Sequence, residues 1–224
     1  MLEVEGITKR FGALVALDNV SFKVNGGRLG IIGPNGAGKT TLFNVISGFL
    51  KPNSGKVKFN GKDITGLRPS KIAEMGLVRT FQILKVFKSL TVQENLSIIS
   101  EDSRELLEIV DLWEKRDVLA GNLSQGEMRK LGIALALAKN PKMLLLDEPF
   151  SGLSPLECES LVEILKDVKT PMVIIEHKLG ELFDLVDRVI VLNFGKIIFE
   201  GKPKDAVKDS KVVEAYIGED YAQN

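Results

Sequence analysis

Gly33-Pro34-Asn35-Gly36-Ala37-Gly38-Lys39-Thr40 lies between the apolar run Arg28-Leu29-Gly30-Ile31-Ile32 and the helix-like stretch Thr40-Thr41-Leu42-Phe43-Asn44-Val45-Ile46. No other segment limits the folding of this chain as tightly. The spacing G-x-x-x-x-G-K-[ST] between a predicted strand and a predicted helix is that of a phosphate-binding loop. Its glycines let successive backbone N–H groups turn toward one anion, the following helix adds the positive end of its dipole, and Lys39 adds a point charge. Thr40 is placed to ligate Mg²⁺, with Thr41 beside it in the same first turn. An ordinary glycine-rich turn would account for the glycines but not for Lys39 and Thr40. A strand, a phosphate loop and a helix in that order imply an α/β fold with ligands gathered at the carboxyl ends of parallel strands.

The rest of the chain is consistent with that class. Residues 2–24 alternate apolar and polar in two pieces, LEVEGIT and NVSFKV, as half-buried antiparallel strands do. Asn60-Gly61 within SGKVKFNGKDI is a strong hairpin signal. From Ser89 to Gln125 the spacing turns helical, through ENLSII and SRELLEIVDLW, and no strand can be drawn through it. EMRKLGIALALAKN then predicts a helix, KMLLLD a buried strand, LECESLVEILKDV a helix and PMVIIE another buried strand. RVIVLNFGKIIFEG reads as a closing hairpin and DAVKDSKVVEAYIG as a terminal helix.

Lys plus Arg number 30 and Asp plus Glu number 30, so no bulk positive charge is available to hold nucleic acid, and phosphate binding must be local. Hydrophobic residues make up 44% of the 224, enough for a core without disulfides, and Cys158 is the sole cysteine, expected as a buried, inert thiol. The N-terminal MLEVEGITKRFG has neither the basic start nor the apolar run of a signal peptide, and no segment approaches 18 uninterrupted apolar residues. The expectation is a cytoplasmic protein that reaches a membrane only through a partner.

Further chemistry clusters at strand ends. KMLLLDE places Asp147 and Glu148 at the end of an apolar strand, where Asp147 can hold Mg²⁺ directly or through water and Glu148 can polarise an attacking water. His177, the only histidine, follows MVIIE and can donate a hydrogen bond to a γ-phosphate oxygen. Ser124 precedes a helical pattern with Glu127 three residues on, the spacing of a capping box, and a capped helix N-terminus is also an anion site.

Taken in order, these motifs resemble the ATP-binding cassette ATPases over essentially the whole chain. The resemblance implies a P-loop NTPase core of mixed and parallel sheet with an N-terminal antiparallel β-subdomain and a small helical subdomain. Residues 1–224 then form one cassette, with 1–88 and 126–224 as the RecA-like core plus antiparallel part and about 89–125 as the helical lobe. It also implies that Phe11 stacks on adenine and that Gln82, in Arg79-Thr80-Phe81-Gln82, links the Mg²⁺ site to a transmembrane partner and senses the γ-phosphate. Leu123-Ser124-Gln125-Gly126-Glu127 is similar to the family's LSGGQ signature, which implies that Ser124 and Gly126 meet the γ-phosphate bound by a second subunit. The chain departs from the family at Gln125 and Glu127, where Gly and Gln are usual, and at Ser154, where Asp or Asn closes the loop after the catalytic Glu.

GLVRTFQILKVFKSLTVQENL, IIEHKL, DRVIVLNFGKIIFEGKP and VVEAYIGE resemble the ATP-binding subunits of branched-chain amino acid importers, with a helical lobe shorter than is typical there. Related subunits serve importers of urea, other amides and amino acids. The implied partners are transmembrane permease subunits, a second ATP-binding subunit and a periplasmic or extracellular solute-binding protein. Residues 81–87, with Ile83, Leu84, Val86 and Phe87, and the helical lobe are the expected coupling surface. Two other readings share the nucleotide chemistry: a non-transport cassette of DNA repair or translation, disfavoured by the single cassette and balanced charge, and a regulatory ATP switch, disfavoured by Glu148.

Overall fold

The computed structural model describes residues 1–80, 86–100 and 102–222, with side chains described as far as Tyr216. Strands β1 (Leu2–Phe11) and β2 (Leu14–Val24) lead into β3 (Arg28–Ile32), the glycine loop and α1 (Lys39–Ile46). The chain then runs through β4 (Ser54–Phe59), β5 (Lys62–Asp63), α2 (Pro69–Glu74) and β6 (Leu77–Arg79). Helices α3 (Val92–Ser97) and α4 (Ser103–Ile109), two 3-10 turns and α5 (Gln125–Leu137) follow without a strand. Last come β7 (Met143–Asp147), α6 (Pro155–Asp167), β8 (Met172–Ile175), α7 (Leu179–Leu185), β9 (Arg188–Asn193), β10 (Lys196–Gly201), α8 (Pro203–Ala206) and α9 (Ser210–Ala222).

The strands form two sheets, an antiparallel one ordered β2-β1-β4-β5 and a six-stranded one ordered β10-β9-β3-β8-β7-β6. In the second, β6, β7, β8, β3 and β9 run parallel and β10 closes the edge antiparallel to β9. Every residue of β7 is buried, as a parallel strand covered on both faces requires. Its side chains alternate between two cores. Leu144 and Leu146 face the helices with Leu131, Leu161 and Ile174, whereas Met143 and Leu145 face the antiparallel sheet with Val4, Phe43 and Phe59. The phosphate loop is thereby fixed between two packed layers at the carboxyl end of β3, next to those of β8 and β9.

The α/β reading with an antiparallel N-terminal sheet holds, and so does the turn at Asn60-Gly61, whose φ values of 50° and 77° are those of a two-residue hairpin. Three local features differ from the sequence reading. Strand β6 and helix α2 had no periodic signature, being only 3 and 6 residues long. The terminal helix is broken in two: Asp209 Oδ1 accepts from the backbone N–H groups of Lys211 and Val212, starting α9 afresh after α8. Cys158 is buried, as expected. No described helix is long and apolar enough to cross a membrane.

Candidate functional site

Helix α1 begins at Gly38, which has φ 105° and offers no side-chain cap, and its first turn carries no acidic residue. That leaves the positive end of the helix aimed into the loop rather than neutralised locally. Two glycines are forced by contact. A Cβ on Gly33 would lie 2.1 Å from the Leu192 carbonyl oxygen, and one on Gly38 would lie 2.5 Å from that of Ala16. Lys39 is buried, and its Nζ donates to the carbonyls of Gly33 at 2.6 Å and Pro34 at 2.9 Å, so the ammonium lies within the curl of the loop.

A cleft of about 380 Å³ opens on this loop. Asn35, Gly36, Ala37, Gly38, Lys39, Thr40 and Thr41 line one side, with Phe11 and residues 14–16 of β2 beside them. Glu148, His177 and Phe194 complete it. Glu148 follows β7 with φ 48°, a left-handed conformation uncommon for a side chain of that size, and its N–H is held by the Ile175 carbonyl at 2.9 Å. The strand ends thus aim Glu148 at His177, whose Nε2 lies 3.4 Å from Glu148 Oε1. Phe11 is 46% exposed at the cleft edge, its ring open for stacking, with Lys9 Nζ 5.1 Å from the ring centroid.

Asp147 sits behind this front. Its Oδ2 accepts from Arg79 Nη2 at 2.7 Å in a buried ion pair, and Arg79 Nη1 donates to Asn44 Oδ1 and Ser47 Oγ of the α1 segment. The same guanidinium therefore ties α1, β6 and β7 together. Gln82 lies outside the described residues, as do Ile83 and Leu84. Ser124 and Gly126 are absent from the lining of the cleft; they lie at the start of α5, where Ser124 caps the helix and forms a complete capping box with Glu127. Glu127 also pairs with Lys115, so this departure from the LSGGQ pattern has an intrachain role. Ser154 does for α6 what Ser124 does for α5, capping it in a box with Glu157.

The family profile described as ABC transporter matches residues 17–151. The chain belongs to the ABC transporter family. It is an ATP-hydrolysing cassette of that family. The probable branched-chain amino acid transport ATP-binding protein LivG of Methanocaldococcus jannaschii is 39% identical over 98% of each chain. That alignment runs to 251 positions against a cassette of 224 residues, so the relative carries residues this chain lacks. A crystal structure of the ADP conformation of an ATP-binding cassette of an ABC transporter matches with TM-score 0.89 and 39% identity, covering 97% of this chain and 98% of that one. A dimeric structure of a post-hydrolysis state of another cassette, bound to ADP and Pi, matches with TM-score 0.77 and 25% identity over 91% of this chain and 99% of that one.

Three residues of the cassette's polar framework escaped the sequence reading. Arg79 gave no local signal. Glu176 is buried and accepts from the backbone N–H groups of Phe150 at 2.9 Å, His177 at 2.8 Å and Lys178 at 3.3 Å, pinning the loop after Glu148 to the loop carrying His177. Burial pushes its carboxyl above the usual range, against the pull of those three donors. Glu157 is the third, and its spacing from Ser154 was a readable capping-box signal.

Proposed function

We propose that this cassette powers import of branched-chain amino acids, or of a related amino acid or amide, by hydrolysing ATP at sites shared between two cassettes. The supporting observation is the convergence of the phosphate loop, Glu148 and His177 on one cleft, with Glu148 and His177 3.4 Å apart. The similarity to LivG supports the substrate class, and the dimeric relative supports pairing with a second copy or a sister subunit. Residues 1–88 and 126–224 serve as the nucleotide-binding core and about 89–125 as the helical lobe. The cassette works at the cytoplasmic face of the membrane, beneath permease subunits supplied by a solute-binding protein. Phe87, 59% exposed and with its backbone clamped by the buried Asn95, belongs to the surface that meets the permease.

In this reading the backbone N–H groups of residues 36–40 and the Lys39 ammonium hold the β- and γ-phosphates, and Phe11 stacks on the base. Thr40 in the cleft, and Asp147 behind it through water, since its Oδ2 is held by Arg79, are the residues that would hold Mg²⁺. A hydroxyl and a carboxylate fit an ion that prefers oxygen donors and keeps several waters. Among the described residues no group of three or more His, Cys, Asp or Glu could hold a metal alone, so phosphate and water oxygens would complete the set. When bound, Mg²⁺ supplies charge neutralisation at the phosphates. Glu148 orients the attacking water and takes its proton, while His177 donates to a γ-phosphate oxygen. Ser124 and Gly126 of the second cassette contact the same γ-phosphate. Phosphoryl transfer asks for little beyond such positioning and charge.

Glu148→Gln tests this directly, with Mg-ATP hydrolysis and sizing in ATP measured on the same sample. Turnover is expected to fall by about 100-fold or more, in line with loss of a general base, while an ATP-bound dimer accumulates. A wild-type chain that binds ATP but does not turn it over, even with membrane partners, would make the regulatory switch the better reading.

A further inference from the structure

The donors that the signature offers to a phosphate are already engaged within this chain. Glu157 Oε1 accepts from Ser124 Oγ at 3.2 Å and from Gly126 N–H at 3.2 Å, while Oε2 accepts from Ser154 N–H at 3.0 Å and Ser154 Oγ at 2.9 Å. One carboxylate therefore joins the first turn of α5 to the first turn of α6. Gly126 makes this possible, since a Cβ there would lie 2.6 Å from Oε1. Beside it Gln125 Nε2 reaches the Ser151 carbonyl at 3.5 Å, and the absence of a side chain at Gly152 leaves room for that amide. Gln125 and Ser154, which both depart from the family pattern, thus lie on one seam between the signature and the loop that follows Glu148.

A carboxylate oxygen and a phosphate oxygen are the same kind of acceptor for a hydroxyl and a helix N-terminal amide. We propose that Glu157 is a further determinant of the shared site: in the separate cassette its carboxylate occupies the seat that Ser124 and Gly126 present to the γ-phosphate of ATP held by a second copy, and it withdraws when the two close. The inference rests on the shared-site reading of the signature. Two carboxylate oxygens do separate jobs, so withdrawal costs only the contacts at Oε1 and leaves the α6 cap at Oε2 in place. The donors hold the Glu157 carboxyl below the usual carboxylate range, the Ser154 amide contributing most. The seat is therefore filled by a full negative charge, which the incoming γ-phosphate must displace.

Glu157→Gln separates the two jobs. Gln serves at the third position of a capping box as Glu does, but it has one acceptor oxygen for two sets of donors, and its NH₂ cannot accept from the Gly126 N–H. In the Glu148→Gln background, adding Glu157→Gln is expected to lower the ATP-dependent monomer–dimer dissociation constant by about tenfold, measured by analytical ultracentrifugation, the scale of one charge-assisted hydrogen bond no longer lost on closure. In the nucleotide-free chain the Gly126 amide should exchange its hydrogen faster in Glu157→Gln than in wild type. A dimer constant that stays the same or rises, or a Gly126 amide whose exchange is unmoved, overturns the proposal. If Glu148→Gln alone binds ATP but never dimerises, the shared-site reading itself falls and the proposal with it. That result is distinct from a dimer that forms and ignores Glu157.

Discussion

Helices α1 and α5 both begin at a motif suited to a phosphate, yet their first turns are finished in opposite ways. At α1 the N-cap is Gly38 with no side-chain cap, no acid follows in the first turn, and Lys39 adds positive charge. At α5 the N-cap is Ser124 in a complete capping box with Glu127, and Glu157 takes up the Ser124 hydroxyl and the Gly126 amide. The backbone follows the same division. Glu148 and Phe194 both line the nucleotide cleft with φ of 48° and 44°, whereas Ser124, with φ −62° and ψ 168°, has the extended conformation usual for a cap. One end aims its helix dipole at the cleft beside strained backbone, while the other is satisfied in cis and, in the proposed shared site, would exchange partners to act. In the shared site proposed above, a chain so arranged would bind nucleotide alone and complete its second contact through another cassette.

The buried Arg79–Asp147 pair ties the last turn of α1 to β6 and β7, and removing one partner is expected to have the largest effect. Arg79→Met roughly keeps the volume but leaves the Asp147 carboxylate buried without its cation and takes a donor from Asn44 Oδ1, while the Ser47 hydroxyl keeps its bond to the Phe43 carbonyl. Loss of one partner of a buried pair costs about 3–5 kcal/mol, so the urea midpoint should fall steeply. A midpoint within error of wild type would mean that α1 is held by its apolar face alone. Next in size is Lys39→Ala, expected to weaken ATP binding about 100-fold by calorimetry, since a charge-assisted contact and a point charge go together. The Glu157 seam should be untouched, so Gly126 amide exchange in Lys39→Ala should match wild type. A shift there would show that the two ends are coupled within one chain.

The two ends also differed in how far they could be read from the sequence. The phosphate end was legible because its constraints are local: glycine spacing, Lys39 and the apolar runs before and after it all lie within some twenty residues. Glu148 and His177 were legible as strand-end groups, since β7 and β8 are short apolar runs that periodicity identifies. Arg79 was not, because β6 is a 3-residue strand without alternation and its partner Asp147 comes 68 residues later. At the signature, the Ser124–Glu127 box was readable and the Ser154–Glu157 box has the same spacing. The contact between them was not readable, because it arises only when α5 and α6 pack side by side and bring Glu157 to residues more than thirty positions earlier.

The smallest expected effect tests whether the strain at the cleft belongs to the fold or to the ligand. Phe194 and Gly195 form the two-residue turn between β9 and β10, with φ of 44° and 75°, where Asn-Gly is the favoured pair because Asn tolerates the left-handed region. Phe194 is 84% exposed, so the ring recovers little by burial in the separate chain, yet it lines the cleft with Phe11 and the phosphate loop. Gly195 anchors the turn, its N–H on the Ala37 carbonyl at 3.0 Å and its own carbonyl on the Asp18 N–H at 2.9 Å, so the turn cannot relax by shifting away. Phe194→Asn should therefore raise the stability of the nucleotide-free chain by about 0.5–1 kcal/mol, read as a higher denaturation midpoint. If ATP affinity falls in the same variant, the strained aromatic is held there for the nucleotide, and the contrast between the two helix ends extends to the turn beside α1. If stability rises and affinity is unmoved, the strain at Phe194 is incidental to the site, and Glu148 alone carries the strained backbone that the chemistry uses.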